Sequence, residues 1–326
     1  MQLSRTLLEI QQTMPWYFPT VAFIFGACIG SFLNVCIYRI PAGKSVIRPR
    51  SHCACGAPIA WYDNIPILSW FILRGKARCC GRPFSFRYPA VETLVGLLFL
   101  FSWLCAPTVP VALSWMLLSS ILVCATFIDI DTMTIPDRFS VGGMVIGLVI
   151  SVLVPALHPH SVGAFGSLVD SILGAFVGTA LVYWIMVVAE IILRRPAMGE
   201  GDVKLMGAIG AFCGWQGAVF ALFGGAMIGT AAIVAWSITQ LIFGKGLHSE
   251  IPKEALYNIG KPGDGKAVAP EDTPKETAND DESDVPDGAV PFGPSLAAGA
   301  IVYLFLARHI VAEYFDQINW MFFGGR

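Results

Sequence analysis

The sequence predicts an all-α polytopic membrane protein, with about eight transmembrane helices and a small cytoplasmic insert that contains cysteines. Three observations predict it. Of the 326 residues, 55% are hydrophobic and only 13% charged, against about a quarter charged in an ordinary soluble domain. Apolar runs of roughly 20 residues, the length that crosses about 30 Å of hydrocarbon as a helix, recur along the chain. Almost all Lys and Arg residues fall between alternate runs, the pattern that marks cytoplasmic loops. The lipid bilayer is therefore the first partner implied, and no nucleic acid is expected.

The runs lie at 17–38, 89–106, 111–128, 139–156, 166–193, 203–214, 216–243 and 292–312, the sixth being the shortest. The first is no cleavable signal peptide: no basic segment precedes it, and it continues through Gly26, Gly30 and Ser31 without a small-residue cleavage site. The segment 39–88 holds nine Lys and Arg residues against the single acid Asp63. Fixing it in the cytoplasm and alternating sides brings 129–138, 194–204 and 245–275 to the same side, with both termini outside.

The chain accordingly divides into a first helix (1–38), a cytoplasmic insert (39–88), a membrane core (89–245), an acidic loop (246–290) and a last helix with its tail (291–326). The insert is large enough to fold if something staples it. The loop carries 11 acidic and four basic residues, and almost no large apolar side chains after Tyr257. It cannot bury enough surface to offset the entropy of ordering, so it reads as a disordered linker.

Acids at the membrane border are the residues that need a reason. The third run ends in FIDIDTMTIPD, where Pro136 breaks the helix. Asp129 and Asp131 are two positions apart and cannot share a helix face, so one of them is expected in solvent. Asp137 reads as a helix cap. Asp202 opens the sixth run at the same predicted depth as Asp129. It follows Gly199 and Gly201 in MGEGDVKL, where glycines permit a tight turn and the close approach of an extended strand. Two carboxyl groups converging on one site do not both ionise easily. Such a pair can activate a water while donating to a carbonyl, the chemistry of an aspartyl protease. The rival is a proton-coupled transporter using the same acids as carriers, which predicts acids nearer the midplane. Asp170, Glu190 and Glu92 read as interfacial.

The ordered motifs GSFLNVCIYRIP (30–41), WYDNIPILSW (61–70), RYPAVE (87–92), FIDIDTMTIPD (127–137), MGEGDVKLMGAIGAFCGW (198–215) and PFGPSLAAG (291–299) resemble those of the type IV prepilin peptidases. The resemblance implies an eight-helix Gly-x-Gly-Asp protease of the bacterial inner membrane. Its catalytic pair falls on Asp129 and Asp202, with Gly199 and Gly201 shaping the site and Glu200 a bystander. It further implies prepilin or pseudopilin substrates cleaved at the cytoplasmic face, and N-methylation of the new terminus with S-adenosylmethionine, an activity associated with the insert.

The family's insert usually carries two C-x-x-C pairs suited to tetrahedral zinc. Here the stretches read SHCACG and KARCCG, so the ligand set is Cys53, Cys55, Cys79 and Cys80, with Ala77 where a cysteine is expected. Four cysteines in two clusters favour a metal over free thiols, and the cytoplasm disfavours disulfides. The adjacent Cys79 and Cys80 suit one ion poorly. Zinc, zinc with His52 as a substitute ligand, and a packed metal-free module all stay open. The remaining five cysteines read as apolar packers.

Overall fold

The computed structural model describes residues 13–48, 51–53, 55–158, 161–194, 198–243 and 291–323. The acidic loop 246–290 and the first 12 residues lie outside them. The elements are α1 (Tyr17–Arg39), α2 (Leu68–Ile72) in the insert, α3 (Arg87–Cys105), α4 (Val109–Thr132), α5 (Val141–Leu153), α6 (Gly163–Leu193), α7 (Glu200–Phe243), α8 (Gly293–Val302) and α9 (Arg308–Phe323), the last two joined by a π-turn, Tyr303–Ala307. No strand forms among the described residues, only two isolated bridges in the insert. By length and composition, six helical stretches among the described residues suit a membrane crossing: α1, α3, α4, α6, α7, and α8 running into α9.

The sixth and seventh apolar runs are joined in α7, and the break between them falls at Gly214, whose φ of 71° and ψ of 177° are not helical. Side-chain-bearing residues avoid this conformation, and glycine accepts it. The neighbours on either side show that the chain turns back there. The first arm starts with Gly201 against Ile135, passes Gly174 at Gly210 and reaches His158 at Gly214. The second arm then runs from Gly217 beside Tyr303, past Ala221 beside Gly299, to Gly225 beside Ser295. Because α8 begins next to Asp129, the second arm returns to the end where the first began.

α4 is the central column, with 72% of its most apolar window buried. On one side it packs with α1 and α3 through Val91, Val95, Phe99, Val123 and Ile128. On the other it meets α7 and α8 through Trp115, Leu118, Leu122, Leu205, Ile209 and Leu296. Met133 caps α4 in the left-handed region (φ 53°), its amide bonded to the Asp129 carbonyl at 2.8 Å. A central, largely buried helix ending in an acid fixes that acid's position closely, because close-packed interiors leave little room for shifts.

Candidate active site

Asp129 occupies the last turn of α4 and Asp202 the first turn of α7, and both are buried, at 5% and 7% exposure. They lie within electrostatic reach of each other. Ile135 connects them: it touches Gly201 on one side and Gly293 on the other, and the Gly293 amide donates to Asp129 Oδ2 at 3.2 Å. Asp202 Oδ1 is buried without a hydrogen-bond partner. An unsatisfied, water-excluded carboxylate oxygen is costly, by several kcal/mol for an ion, and persists where function requires it.

The two glycines of the motif behave differently. A Cβ on Gly201 would sit 3.0 Å from Ile135 Cβ, so this residue is small because the helices touch there. At Gly199 the nearest atom to a Cβ would be the Gly201 amide at 3.9 Å, so its surroundings are open. Neither has positive φ among the glycines that do. Glu200 between them has an 83% exposed side chain and lies 4.0 Å from Lys204.

Of the two acids that cannot share a helix face, Asp129 is buried and Asp131 exposed, and Arg87 grips Asp131 with both guanidinium nitrogens at 2.8 and 2.7 Å while lying over Phe127. Two readings of border acids are corrected. Asp137 makes no cap. Its carboxylate accepts from Lys204 Nζ at 2.9 Å, and no side chain caps the start of α5. Glu92 is not interfacial but 8% exposed, and its Oε2 accepts the amide of Ile67 in the insert at 2.7 Å. Sequence reasoning does not single out Gly293, whose amide meets Asp129, and reads Glu92 only as interfacial. Both lie inside the quoted motifs RYPAVE and PFGPSLAAG, which was the available signal.

The insert docks on the same end of the bundle through the Ile67 amide and Glu92 Oε2. Beneath it Asn34 Nδ2 of α1 donates to the Tyr88 carbonyl of α3 at 3.2 Å, and within it Trp70 Nε1 donates to the Phe84 carbonyl at 3.3 Å. Arg78 binds Asp63 bidentately, at 2.8 and 2.9 Å, which holds that carboxyl below its ordinary range. Two turns face each other. One is closed by Cys53 N to Ala57 O and carries Cys53 and Cys55; the other is closed by Ala77 N to Arg82 O and carries Cys79 and Cys80. Their sulfurs interleave, Cys53 with Cys80 at 3.5 Å and Cys55 with Cys79 at 3.4 Å, and all four lie within 4.8 Å of one another. The adjacency of Cys79 and Cys80 is thus no obstacle, since each pairs with a different cysteine of the opposite turn. A backbone hydrogen bond from Ala57, then Cys79, lowers the Cys55 thiol to about 7, and the neighbouring Cys53 and Cys55 push Cys79 up to about 12. The cluster can hold a metal ion.

This arrangement is that of a polytopic membrane protein with a paired-carboxyl site at the end of the bundle that carries a cysteine module. The family model for the Bacterial Peptidase A24 N-terminal domain matches residues 24–106, and that for the Type IV leader peptidase family matches residues 116–234. A prepilin leader peptidase/N-methyltransferase of Myxococcus xanthus is 34% identical over 90% of this chain and 93% of its own. One from Klebsiella pneumoniae is 35% identical over 64% of this chain and 91% of its own. The type 4 prepilin-like proteins leader peptide-processing enzyme of Escherichia coli is 36% identical over 64% and 81%. No solved structure matches. The chain belongs to the type IV leader peptidase family.

Proposed function

We propose that the chain is a bifunctional membrane enzyme: an aspartyl endopeptidase that removes the basic leader of type IV prepilins or pseudopilins, and a methyltransferase that N-methylates the terminus it exposes. The observation that carries the reading is the convergence of Asp129 and Asp202 from remote helix ends, with a buried Asp202 oxygen left without a partner. One carboxylate takes a proton from water as it attacks the scissile carbonyl. The other, in its acid form, donates to the carbonyl oxygen, and the amine leaves protonated. The Gly293 amide holds Asp129 in position, and the open surroundings of Gly199 leave room for an extended substrate strand. The basic insert and the basic residues at the same end of the bundle support a site that faces the cytoplasm at the inner membrane.

Zinc suits the cysteine cluster. Four thiolates about 2.3 Å from a tetrahedral ion lie about 3.8 Å apart, close to the spacings observed here. Cys53, Cys55, Cys79 and Cys80 would hold it and it would staple the insert. S-adenosylmethionine supplies the methyl group when bound. The family finding leaves the transport reading without support, and the acids lie at helix ends rather than mid-helix.

The test is incubation of the purified protein with a prepilin-like peptide, followed by mass. The expected result is loss of the leader, then gain of one methyl group when S-adenosylmethionine is present. An intact peptide under conditions where the protein is folded would overturn the reading.

A further inference from the structure

Between the insert and the ends of α1 and α3 lies a cavity of about 1150 Å³, comfortably larger than a drug-sized ligand needs. Neither Asp129 nor Asp202 lines it; its walls are aromatic rings, among them Tyr38, Tyr62 and Trp70, cations such as Arg48, and two carboxylates. The carboxylates differ. Asp63 is neutralised by its bidentate Arg78. Glu92 accepts the Ile67 amide and is hydrogen-bonded by Ser31, but no cation pairs with it among the described residues. An uncompensated buried carboxylate facing a cavity favours a positively charged occupant.

A second feature marks the same wall. Ile67, whose amide Glu92 holds, has a φ of 63°, a conformation that a β-branched residue resists. Strain of this kind is held where surroundings over-determine it, typically at ligand clamps. The cavity therefore has a built wall: a strained backbone segment of the insert fixed onto a buried acid of α3.

We propose that this cavity binds the adenosyl sulfonium methyl donor, and that Glu92 is the residue that recognises its positive sulfur. The inference rests on the bifunctional reading above and assigns its second half a place. The ligand carries a cationic sulfur, a flat purine and a carboxylate. The cavity offers an acid without a counter-ion, aromatic faces, and exposed basic residues. Glu92 is a positioning and recognition residue. Among the described residues Glu92 is neither a hydrogen-bond nor a charge partner of Asp129 or Asp202, and neither aspartate lines the cavity, which leaves proteolysis to the pair.

The test is binding to the full-length, detergent-purified protein of two probes, S-adenosylmethionine and S-adenosylhomocysteine, which is neutral at sulfur. Glu92→Gln keeps an acceptor for the Ile67 amide and removes the charge. It is expected to weaken S-adenosylmethionine about tenfold or more, the scale of one lost charge contact, with the homocysteine form changed much less and leader cleavage retained. Tyr62→Ala, at a half-exposed position that does not threaten folding, should weaken both ligands and decides the matter if Glu92→Gln does not accumulate. Wild-type affinity in both variants, in a protein that methylates, would overturn the inference and leave the bifunctional reading standing. Equal weakening of both ligands by Glu92→Gln would remove the sulfonium role. A wild-type protein that cleaves leaders yet binds neither probe would end the methyltransferase reading and this inference together.

Discussion

The amide of Gly293, first residue of α8, donates to Oδ2 of Asp129 at the end of α4, at 3.2 Å and across 164 positions of sequence. A helix N-terminus is a favourable neighbour for a carboxylate, and here it also sets where the carboxylate points. The residue must be small: a Cβ at position 293 would lie 2.7 Å from that oxygen and 3.1 Å from Ile135 Cδ1.

Gly293→Ala should therefore lower leader cleavage by about 10- to 100-fold, the usual effect of displacing a catalytic group by a fraction of an ångström to 1 Å. Membrane insertion and yield should be unchanged. Initial cleavage rates normalised to folded protein measure it. Unaltered rates would mean that the Gly293 contact does not position Asp129. Gly199→Ala is the informative contrast. Its surroundings are open, so stability should hold, and any fall in cleavage reports the substrate passing there.

Asp129→Asn and Asp202→Asn should each reduce cleavage by about 10²–10⁴-fold or more, since an amide cannot carry the proton. Asp131→Asn should keep most activity. Its pair with Arg87 is part-exposed, at 25% and 33% for the two side chains, and pairs of that kind contribute about 1 kcal/mol at most. Glu200→Gln should be close to neutral. Substantial cleavage by either of the first two variants would remove that residue from the mechanism.

Replacing Cys53, Cys55, Cys79 and Cys80 together by Ser should abolish metal content and impair methylation more than leader cleavage. The insert has little core of its own, so the free energy of metal binding is folding free energy there. Metal analysis and both activities, followed on one peptide, measure it. Equal loss of both activities would show that the insert also holds the aspartates in register.

His158 gives a pH prediction at the opposite end of the bundle. Burial pushes its imidazole down to about 4, opposed by Asp170 and a hydrogen bond with Ala211, and reinforced by Arg308. The folded state thus binds fewer protons than the unfolded chain, whose histidines titrate near 6.5. Its contribution is full above about 6.5 and is lost as pH falls toward 4, on the order of 3 kcal/mol. Thermal unfolding in detergent between pH 7 and 4 should show the loss, and His158→Gln should flatten it. An identical acid profile in the variant would exonerate His158.

Much of the fold was legible because membrane helices announce themselves. Each apolar run is helical, and the gap expected at residue 215 is the break at Gly214. Asp129 and Asp202 were legible as acids at one depth. Their partners were not. The Lys204 that binds Asp137 is 67 positions away, and nothing local distinguishes a capping acid from an ion-paired one. The four cysteines could be named, but two opposed turns decide which sulfur meets which, and spacing along the chain does not encode that. Glu92 looked like any acid near a helix start, because its burial is created by remote segments, Gly30 and Ser31 of α1 and Ile67 of the insert, closing on it.

The shortness of α5 reaches beyond the protein. Its 13 residues rise only about 20 Å, yet Val145, Val149 and Leu153 face outward and require hydrocarbon alongside. The surrounding bilayer core is about 30 Å thick. A span shorter than the hydrocarbon is met by thinning of the bilayer beside it, by flanking residues that reach to the interface, or by association with another copy. Gly147 of α5 packs against Ala211 and Phe212 in the first arm of α7, the arm that opens with Asp202, so whatever meets the mismatch presses on a helix that carries half of the aspartate pair.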